Sequence, residues 1–194
     1  MSERPLLLPL LLILSALALS ACGSSGGEES KVEETIETSA TSTDPADCSR
    51  LQTQRFMEQT TQESGKAAVK KCEEEAEKEE GSESVEVSNV EAEGSSATAE
   101  AALSGGSLDG QAVEVELVKD GDQWKLNEVV KFTKFDNGKF VETFEREIEK
   151  SGESSSKFAT CFIEAFKGAD QKEVEELLFH GSGNGFEEIA RECS

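Results

Sequence analysis

Four segments between residues 85 and 132 alternate apolar and polar side chains with a period of two. They cover residues 85–93, 97–103, 113–117 and 124–132. Successive side chains of a strand point to opposite faces, so the alternation predicts strands with one buried and one solvated side. Turn residues Gly94–Ser96, a loop Ser104–Gly110 and the hairpin signal Asp120–Gly121 separate the segments. The pattern therefore predicts a four-stranded antiparallel meander.

The residues before the meander favour two helices. Asp44 can cap a helix whose first position is Pro45, and the apolar spacing carries that helix to about Gln62. Gly65 interrupts the pattern, and apolar residues return at helical spacing over Lys66–Lys78. If the two helices pack antiparallel, Cys48 of the first and Cys72 of the second can approach each other.

The residues after the meander favour a helical region over 133–194. Phe140, Val141 and Phe144 share one side of a helix, and Ser154–Ser156 can cap the next helix. Asp170 and Glu173 have the spacing of a capping box and stand at the start of a third helix. Whether these helices form their own small bundle or pack onto the sheet is left open. The whole pattern predicts an α+β fold.

The N-terminus contains an apolar run, Leu6–Leu14, that is too short for a membrane-spanning helix of about 20 residues. Small residues follow this run, and the sequence LSAC then stands at Leu19–Cys22. This segment resembles the lipobox of bacterial lipoproteins. The resemblance implies that residues 1–21 are a signal peptide, and that the Cys22 sulfur receives diacylglycerol, with acyl chains such as palmitate, before cleavage.

Two or more acyl chains give stable membrane attachment. We therefore expect a protein of the bacterial cell envelope, anchored in the cell membrane through Cys22 on the extracytoplasmic side. The alternative is an uncleaved anchor or an ordinary secretory signal in which Cys22 is incidental. Residues 22–45 are rich in Gly, Ser, Thr and Glu, with Val32 and Ile36 as the only large apolar residues. This composition predicts a disordered acidic linker, and a weak helix through Val32 and Ile36 lacks an evident partner.

Four cysteines follow Cys22, and in an exported chain an even number indicates disulfides. We expect Cys48 to pair with Cys72 and Cys161 with Cys193, because each pair lies within one helical region. A metal site is the competing interpretation, but the chain has no C-x-x-C spacing and a single histidine, His180. The sequence favours no metal, no cofactor and no catalytic residue.

The formal net charge is −22, from 41 acidic and 19 basic side chains. Nucleic acid requires a basic footprint, so this balance argues against a nucleic-acid partner. It also argues against electrostatic adhesion to anionic lipids, which attract clusters of Lys and Arg. The lipid on Cys22 is therefore expected to hold the protein at the membrane.

The order of elements over residues 46–132 resembles the NTF2-like α+β domains of small exported bacterial proteins. The features that carry the resemblance are the helix from Cys48 to Phe56, the hairpin Val85–Leu103 and the segment Gly121–Leu126. It implies a cone in which a curved sheet encloses an apolar pocket. Catalytic members of the family place acid or base side chains, commonly Asp and His, in that pocket. Residues 46–132 contain no His, and the chain contains no Tyr.

The remaining motifs favour ordinary structural roles. His180 stands at a helix end, where a cation is favourable. Gly181–Gly185 lacks the Lys of a phosphate loop, and Glu73–Glu80 lacks calcium-loop spacing. We therefore expect a non-enzymatic module that binds a small apolar ligand or an envelope protein. The alternative is an NTF2-like hydrolase or isomerase that uses a pocket carboxylate.

Overall fold

The computed structural model describes residues 25–78, 81–151, 157–180, 189 and 191–193. The helices are α1 Ser25–Thr41, α2 Ala46–Leu51, α3 Gln54–Thr61, α4 Lys66–Glu77, α5 Asn137–Ser151, α6 Lys157–Gly168 and α7 Gln171–Glu175, and α7 continues into a π-helical turn, Glu176–His180. The strands are β1 Ser84–Glu93, β2 Ser96–Ser104, β3 Ala112–Asp120 and β4 Gln123–Lys134. The signal peptide, Cys22, Ser154–Ser156 and Gly181–Gly185 lie outside the described residues. No helix in the described ranges is long and apolar enough to cross a membrane.

The strands form one antiparallel sheet in the order β1-β2-β3-β4, so the predicted α+β class and meander are confirmed. The β3–β4 turn pairs Asp120 with Gln123, and Gly121 takes a φ of +66° there. A left-handed conformation of this kind costs glycine little, because it has no Cβ. Register shifts at three points of the β3–β4 ladder bend the sheet locally.

The two faces of the sheet differ as the alternation predicts. The inner face carries the buried side chains Ala97, Ala99, Ala101, Val113, Val115, Leu117, Trp124, Leu126, Val129 and Phe132. The residues between them are exposed or half-buried and include most of the glutamates of the sheet. One face therefore forms the core and the other meets solvent.

The prediction of a disordered linker over residues 22–45 is wrong for the residues that the structure describes. Ser25–Thr41 form helix α1, and Val32 and Ile36 are 0% and 2% exposed. They belong to the main core cluster with Trp124 and Leu117. The missing partner face is the sheet itself: α1 contacts both β1 and β4, which are the two edge strands. Two apolar residues suffice because they fall at i and i+4 and therefore on one side of the helix.

The single helix predicted up to about Gln62 is also wrong, because the chain breaks between α2 and α3. Gln52 leaves the helical conformation and forms an isolated parallel bridge with Leu126 of β4. Thr53 donates its backbone N–H to the Leu126 carbonyl at 2.8 Å. Its hydroxyl then caps α3 by accepting from the Phe56 N–H at 3.2 Å. A tertiary contact to the sheet thus interrupts a locally favourable helix.

The C-terminal helices pack onto the sheet and not only on one another. Phe140, Phe166 and Val174 are buried in the same core cluster as the inner face of the sheet. The predicted capping box is present: the Asp170 carboxylate accepts from Glu173 N–H at 2.9 Å, and Glu173 accepts from Asp170 N–H at 2.8 Å. Within the described residues, the sheet and the C-terminal helices thus share one core cluster.

Both disulfides have the predicted pairing. Cys48 and Cys72 join α2 to α4 with an S–S length of 2.04 Å, and Cys161 and Cys193 are joined at 2.05 Å. The first disulfide lies in a small second core with Met57 and Ala68. The Cys48 side chain is 3% exposed, whereas Cys161 is only half-buried. Each disulfide therefore closes one of the two helical regions that flank the sheet.

Candidate functional site

The densest set of charged contacts surrounds Glu28, in the first turn of α1. One carboxylate oxygen accepts from Lys119 Nζ at 2.6 Å and from the Trp124 indole N–H at 3.0 Å. The other oxygen accepts from Lys31 Nζ at 2.9 Å. The Lys119 ammonium also lies 5.5 Å from the centroid of the Trp124 ring. These contacts fasten the start of α1 to the β3–β4 hairpin, since Lys119 and Trp124 flank its turn.

The Glu28 cluster of Glu28, Lys31, Lys119 and Trp124 keeps its carboxylate ionised. Hydrogen bonding from Lys119, followed by Lys31 and Trp124, lowers the pKa of Glu28 to about 2. The pKa of Lys31 is raised, because its hydrogen bond to Glu28 favours the ammonium. A carboxylate with so low a pKa neither gives nor takes a proton near neutral pH. The arrangement therefore suits anchoring and not acid–base catalysis.

Little in the sequence indicates this cluster, because its partners lie far apart in the chain. Glu28 is 91 residues from Lys119 and 96 residues from Trp124. The local signals were the i and i+3 spacing of Glu28 and Lys31 and the i and i+4 spacing of Val32 and Ile36. Both fit a helix, although the polar composition of the segment predicts disorder.

The space beneath the sheet is filled by side chains. Trp124, Phe166 and Leu117 are the largest side chains that are fully buried there. Val32 and Ile36 from α1 complete this packing. The apolar pocket implied by the NTF2-like resemblance stays a prediction.

One surface groove lies between α5 and α6. It has a volume of about 340 Å³ and is lined by Asn137, Gly138, Val141, Glu142, Glu145 and Lys167. Asn137 donates to the Ala169 carbonyl at 2.9 Å, while its Oδ1 atom is buried without a hydrogen-bond partner. Lys167 bridges Glu145 at 3.2 Å and Glu164 at 3.1 Å, and both carboxylates raise its pKa. Lys167, the one cation among the described lining residues, is therefore already ion-paired.

A second groove of about 270 Å³ runs along one end of the sheet. Its walls come from β1, β2, β3 and β4: Ser84, Val85, Glu86, Ala102, Leu103, Ser104, Gly110, Gln111 and Lys134. Gln111 is 1% exposed, and both ends of its side-chain amide are hydrogen-bonded. Its Nε2 donates to the Asp136 carbonyl at 3.1 Å, and its Oε1 accepts from the Asp136 N–H at 2.7 Å.

The outer face of the sheet concentrates negative charge. Four glutamates lie there on neighbouring strands: Glu100, Glu114, Glu116 and Glu128. Glu100 pairs with Glu114 across β2 and β3, and Glu116 pairs with Glu128 across β3 and β4. Like charges directly opposite each other destabilise a sheet. Lys131 compensates Glu114 at 3.1 Å and Arg55 compensates Glu128, while Glu116 stays exposed. Such a surface attracts basic partners over long range.

The other residues singled out in the sequence occupy structural positions. His180 ends the π-helical turn, is exposed, and meets the Phe179 ring edge-on at 6.5 Å. Glu73–Glu77 lie on α4, while residues 79 and 80 are outside the described part. Within the described ranges, no group of three or more metal-ligating side chains is found. Cys22 itself is outside the description, so its lipidation stays a prediction.

Carboxyls with a shifted pKa do not cluster in a cavity. Glu58, Glu74 and Asp109, like Glu28, are shifted downward. Hydrogen bonding from Gln54 is the main cause at Glu58, from Lys70 at Glu74, and from the Gly105 N–H at Asp109. A general acid or base near neutral pH needs the opposite shift. Comparison with protein-family models, with curated proteins and with solved structures finds no match to this chain.

Proposed function

We propose that this protein is a lipid-anchored, extracytoplasmic lipoprotein of the bacterial envelope, and that its domain binds a partner protein without catalysis. The observation that carries the proposal is the disposition of the five cysteines. Cys48, Cys72, Cys161 and Cys193 are consumed in two disulfides, which form in oxidising compartments. Cys22 is left without a disulfide partner in the chain, at the position where a lipobox requires a free thiol.

The fold supports a binding role. Because α1 contacts both edge strands, the sheet curves around it, as in the cone of NTF2-like domains. We propose that the chain has this architecture with its interior filled by α1 and the C-terminal helices. The alternative, an NTF2-like hydrolase or isomerase, needs a pocket carboxylate of raised pKa. The downward shifts at Glu28, Glu58, Glu74 and Asp109 favour binding.

A partner protein fits the described surfaces better than a small apolar ligand. The two grooves are open and carry charged and amide side chains, whereas sites for small ligands are usually enclosed and mostly apolar. The outer face of the sheet offers an extended acidic surface with Glu116 exposed near its middle. A partner with a basic surface would compensate the opposed Glu100–Glu114 and Glu116–Glu128 pairs.

The anchor is tested by mass spectrometry of the N-terminal peptide of the protein extracted from its membrane. The proposal predicts that the peptide begins at Cys22 and carries a diacylglyceryl group. Cys22→Ser should abolish the modification, while Ser24→Ala should keep it. A mature chain that contains unmodified Cys22 would contradict the proposal.

The partner is tested by photo-crosslinking in cells. A photoreactive residue is placed at Glu116 on the outer face or at Glu33 on the exposed side of α1. We expect a discrete crosslinked product from position 116 that disappears when Glu100→Lys is added, and none from position 33. Equal products from both positions, or a product that survives Glu100→Lys, would argue against this surface.

A further inference from the structure

The structure shows that α1 belongs to the folded domain, and this changes the distance between that domain and the expected lipid. Only Gly23 and Ser24 separate Cys22 from the first residue of α1, Ser25. Three residue steps span at most about 11 Å of extended chain. A disordered 23-residue linker would have spanned roughly 25 Å. If Cys22 carries the lipid, the start of α1 lies close to the bilayer.

The start of α1 marks one particular end of the domain. Glu28 contacts Lys119 and Trp124, which flank the β3–β4 turn. The Lys119 N–H donates to the Ser95 carbonyl at 2.9 Å, so the β1–β2 turn lies at the same end. We call this the hairpin end, formed by the turns Glu93–Ser96 and Asp120–Gln123.

The end of α1 marks the opposite side. The Ser82 N–H donates to the Ala40 carbonyl at 2.9 Å, just before β1 begins. The β2–β3 loop Gly105–Gly110 lies at this end, and Glu83 N–H bonds the Ser104 carbonyl beside it at 2.8 Å. We call it the loop end. The 17 residues of α1 place it about 25 Å from the hairpin end.

From these positions we propose that the hairpin end is the surface that rests on the membrane, and that the loop end points away from it. The proposal rests on the proposed lipidation of Cys22. The hairpin end contacts the membrane leaflet in which the lipid is inserted. The short chain between Cys22 and Ser25 prevents the domain from rotating so that the loop end faces the bilayer.

The charges at the hairpin end are consistent with attachment through the lipid on Cys22. They do not favour electrostatic attraction to anionic lipid headgroups. Lys31 and Lys119 bond Glu28, and Lys125 lies 3.1 Å from Asp120. These lysines are already in ion pairs, so they offer little attraction to anionic lipids. The orientation should therefore be independent of lipid charge and should depend on the length of the chain after Cys22.

The orientation is tested on the full mature lipoprotein in phosphatidylcholine vesicles that carry a headgroup nitroxide quencher. A fluorophore is attached through a genetically encoded non-cysteine residue, so both disulfides stay intact. It is placed at Ser95 of the hairpin end or at Ser107 of the loop end, both of which are exposed. We expect loss of most of the fluorescence at position 95 and retention of most of it at position 107.

The matched control inserts about 20 Gly and Ser residues between Ser24 and Ser25, which frees the domain to rotate. The difference between the two labels should then vanish. Equal quenching in vesicle-bound protein without the insertion would overturn the orientation, and so would a difference that survives it. Failure to float with the vesicles would overturn the lipid anchor on which the proposal rests.

Discussion

Helix α1 and the C-terminal helices contribute to the same core cluster in different ways. Helix α1 has two large apolar residues, and both Val32 and Ile36 are fully buried. The C-terminal helices are richer in apolar residues, yet several of these are only half-buried, namely Phe144, Ile163, Leu177, Leu178 and Phe179. The number of apolar residues in a helix therefore does not decide how deeply that helix is buried.

The difference lies in what each region packs against. Helix α1 contacts both edge strands, so two side chains are surrounded from several directions. The ion pairs of Glu28 hold its first turn in place. The C-terminal helices pack partly on one another, with Phe140 against Phe166 at 5.6 Å between ring centroids. They bury Phe140, Phe166 and Val174 in the core and leave the other apolar side chains named above half-buried.

Removal of α1 should have the largest effect on the fold. A chain that begins at Ala46 loses Val32 and Ile36 and exposes the inner face of the sheet between β1 and β4. We expect it to lack a cooperative urea transition and the near-ultraviolet circular dichroism of Trp124. The matched chain that begins at Ser25 should retain both. A cooperative transition without α1 would favour the original prediction that residues 22–45 are a linker.

Single truncations should rank the two regions by burial. Ile36 is 2% exposed, while Ile163 on α6 is half-buried. Ile36→Ala should lower the free energy of unfolding by about 3 kcal/mol, as expected for a buried isoleucine, and Ile163→Ala by about 1 kcal/mol. Urea unfolding followed by Trp124 fluorescence measures both. A smaller loss at Ile36 than at Ile163 would reverse the comparison drawn above.

Neutralisation of Glu28 should have the smallest effect and a defined pH dependence. Its pKa falls from 4.5 to about 2 on folding, so the ionised form is favoured in the folded state. The stabilisation is therefore complete above about pH 4.5 and is lost as the pH falls toward 2. The difference in unfolding free energy between the wild type and Glu28→Gln should shrink over this interval.

The control for Glu28 is Glu33→Gln, which removes an exposed charge from the same helix. It should leave the free energy of unfolding nearly unchanged at neutral pH. A wild-type advantage over Glu28→Gln that stays constant between pH 7 and pH 2 would mean that the carboxylate contributes through packing and not through its charge.

The parts of the fold that local patterns determine were predictable from the sequence. The alternation from Val85 to Phe132 indicated all four strands, and Asp120–Gly121 indicated the last hairpin. The capping box at Asp170 was also predictable, because its two partners lie three residues apart. The disulfide pairing followed from the placement of two cysteines in each helical region.

The rest depended on contacts between distant residues. The break at Gln52 arises from a bridge to Leu126, and the burial of α1 arises from a sheet that begins more than 40 residues later. The Glu28 cluster likewise joins residues 91 and 96 positions apart. Low apolar content predicts disorder only when no preformed surface can surround the few apolar residues present. Here the inner face of the four-stranded sheet is that surface.

The central claim is that the folded domain begins at α1, directly after Cys22. Hydrogen exchange of the mature protein, resolved by peptide mass spectrometry, tests it most directly. The account predicts that amides within residues 30–41 are protected to a degree comparable with those of β4, because Val32 and Ile36 are held in the core. Complete exchange of this segment within seconds, while β4 stays protected, would contradict it.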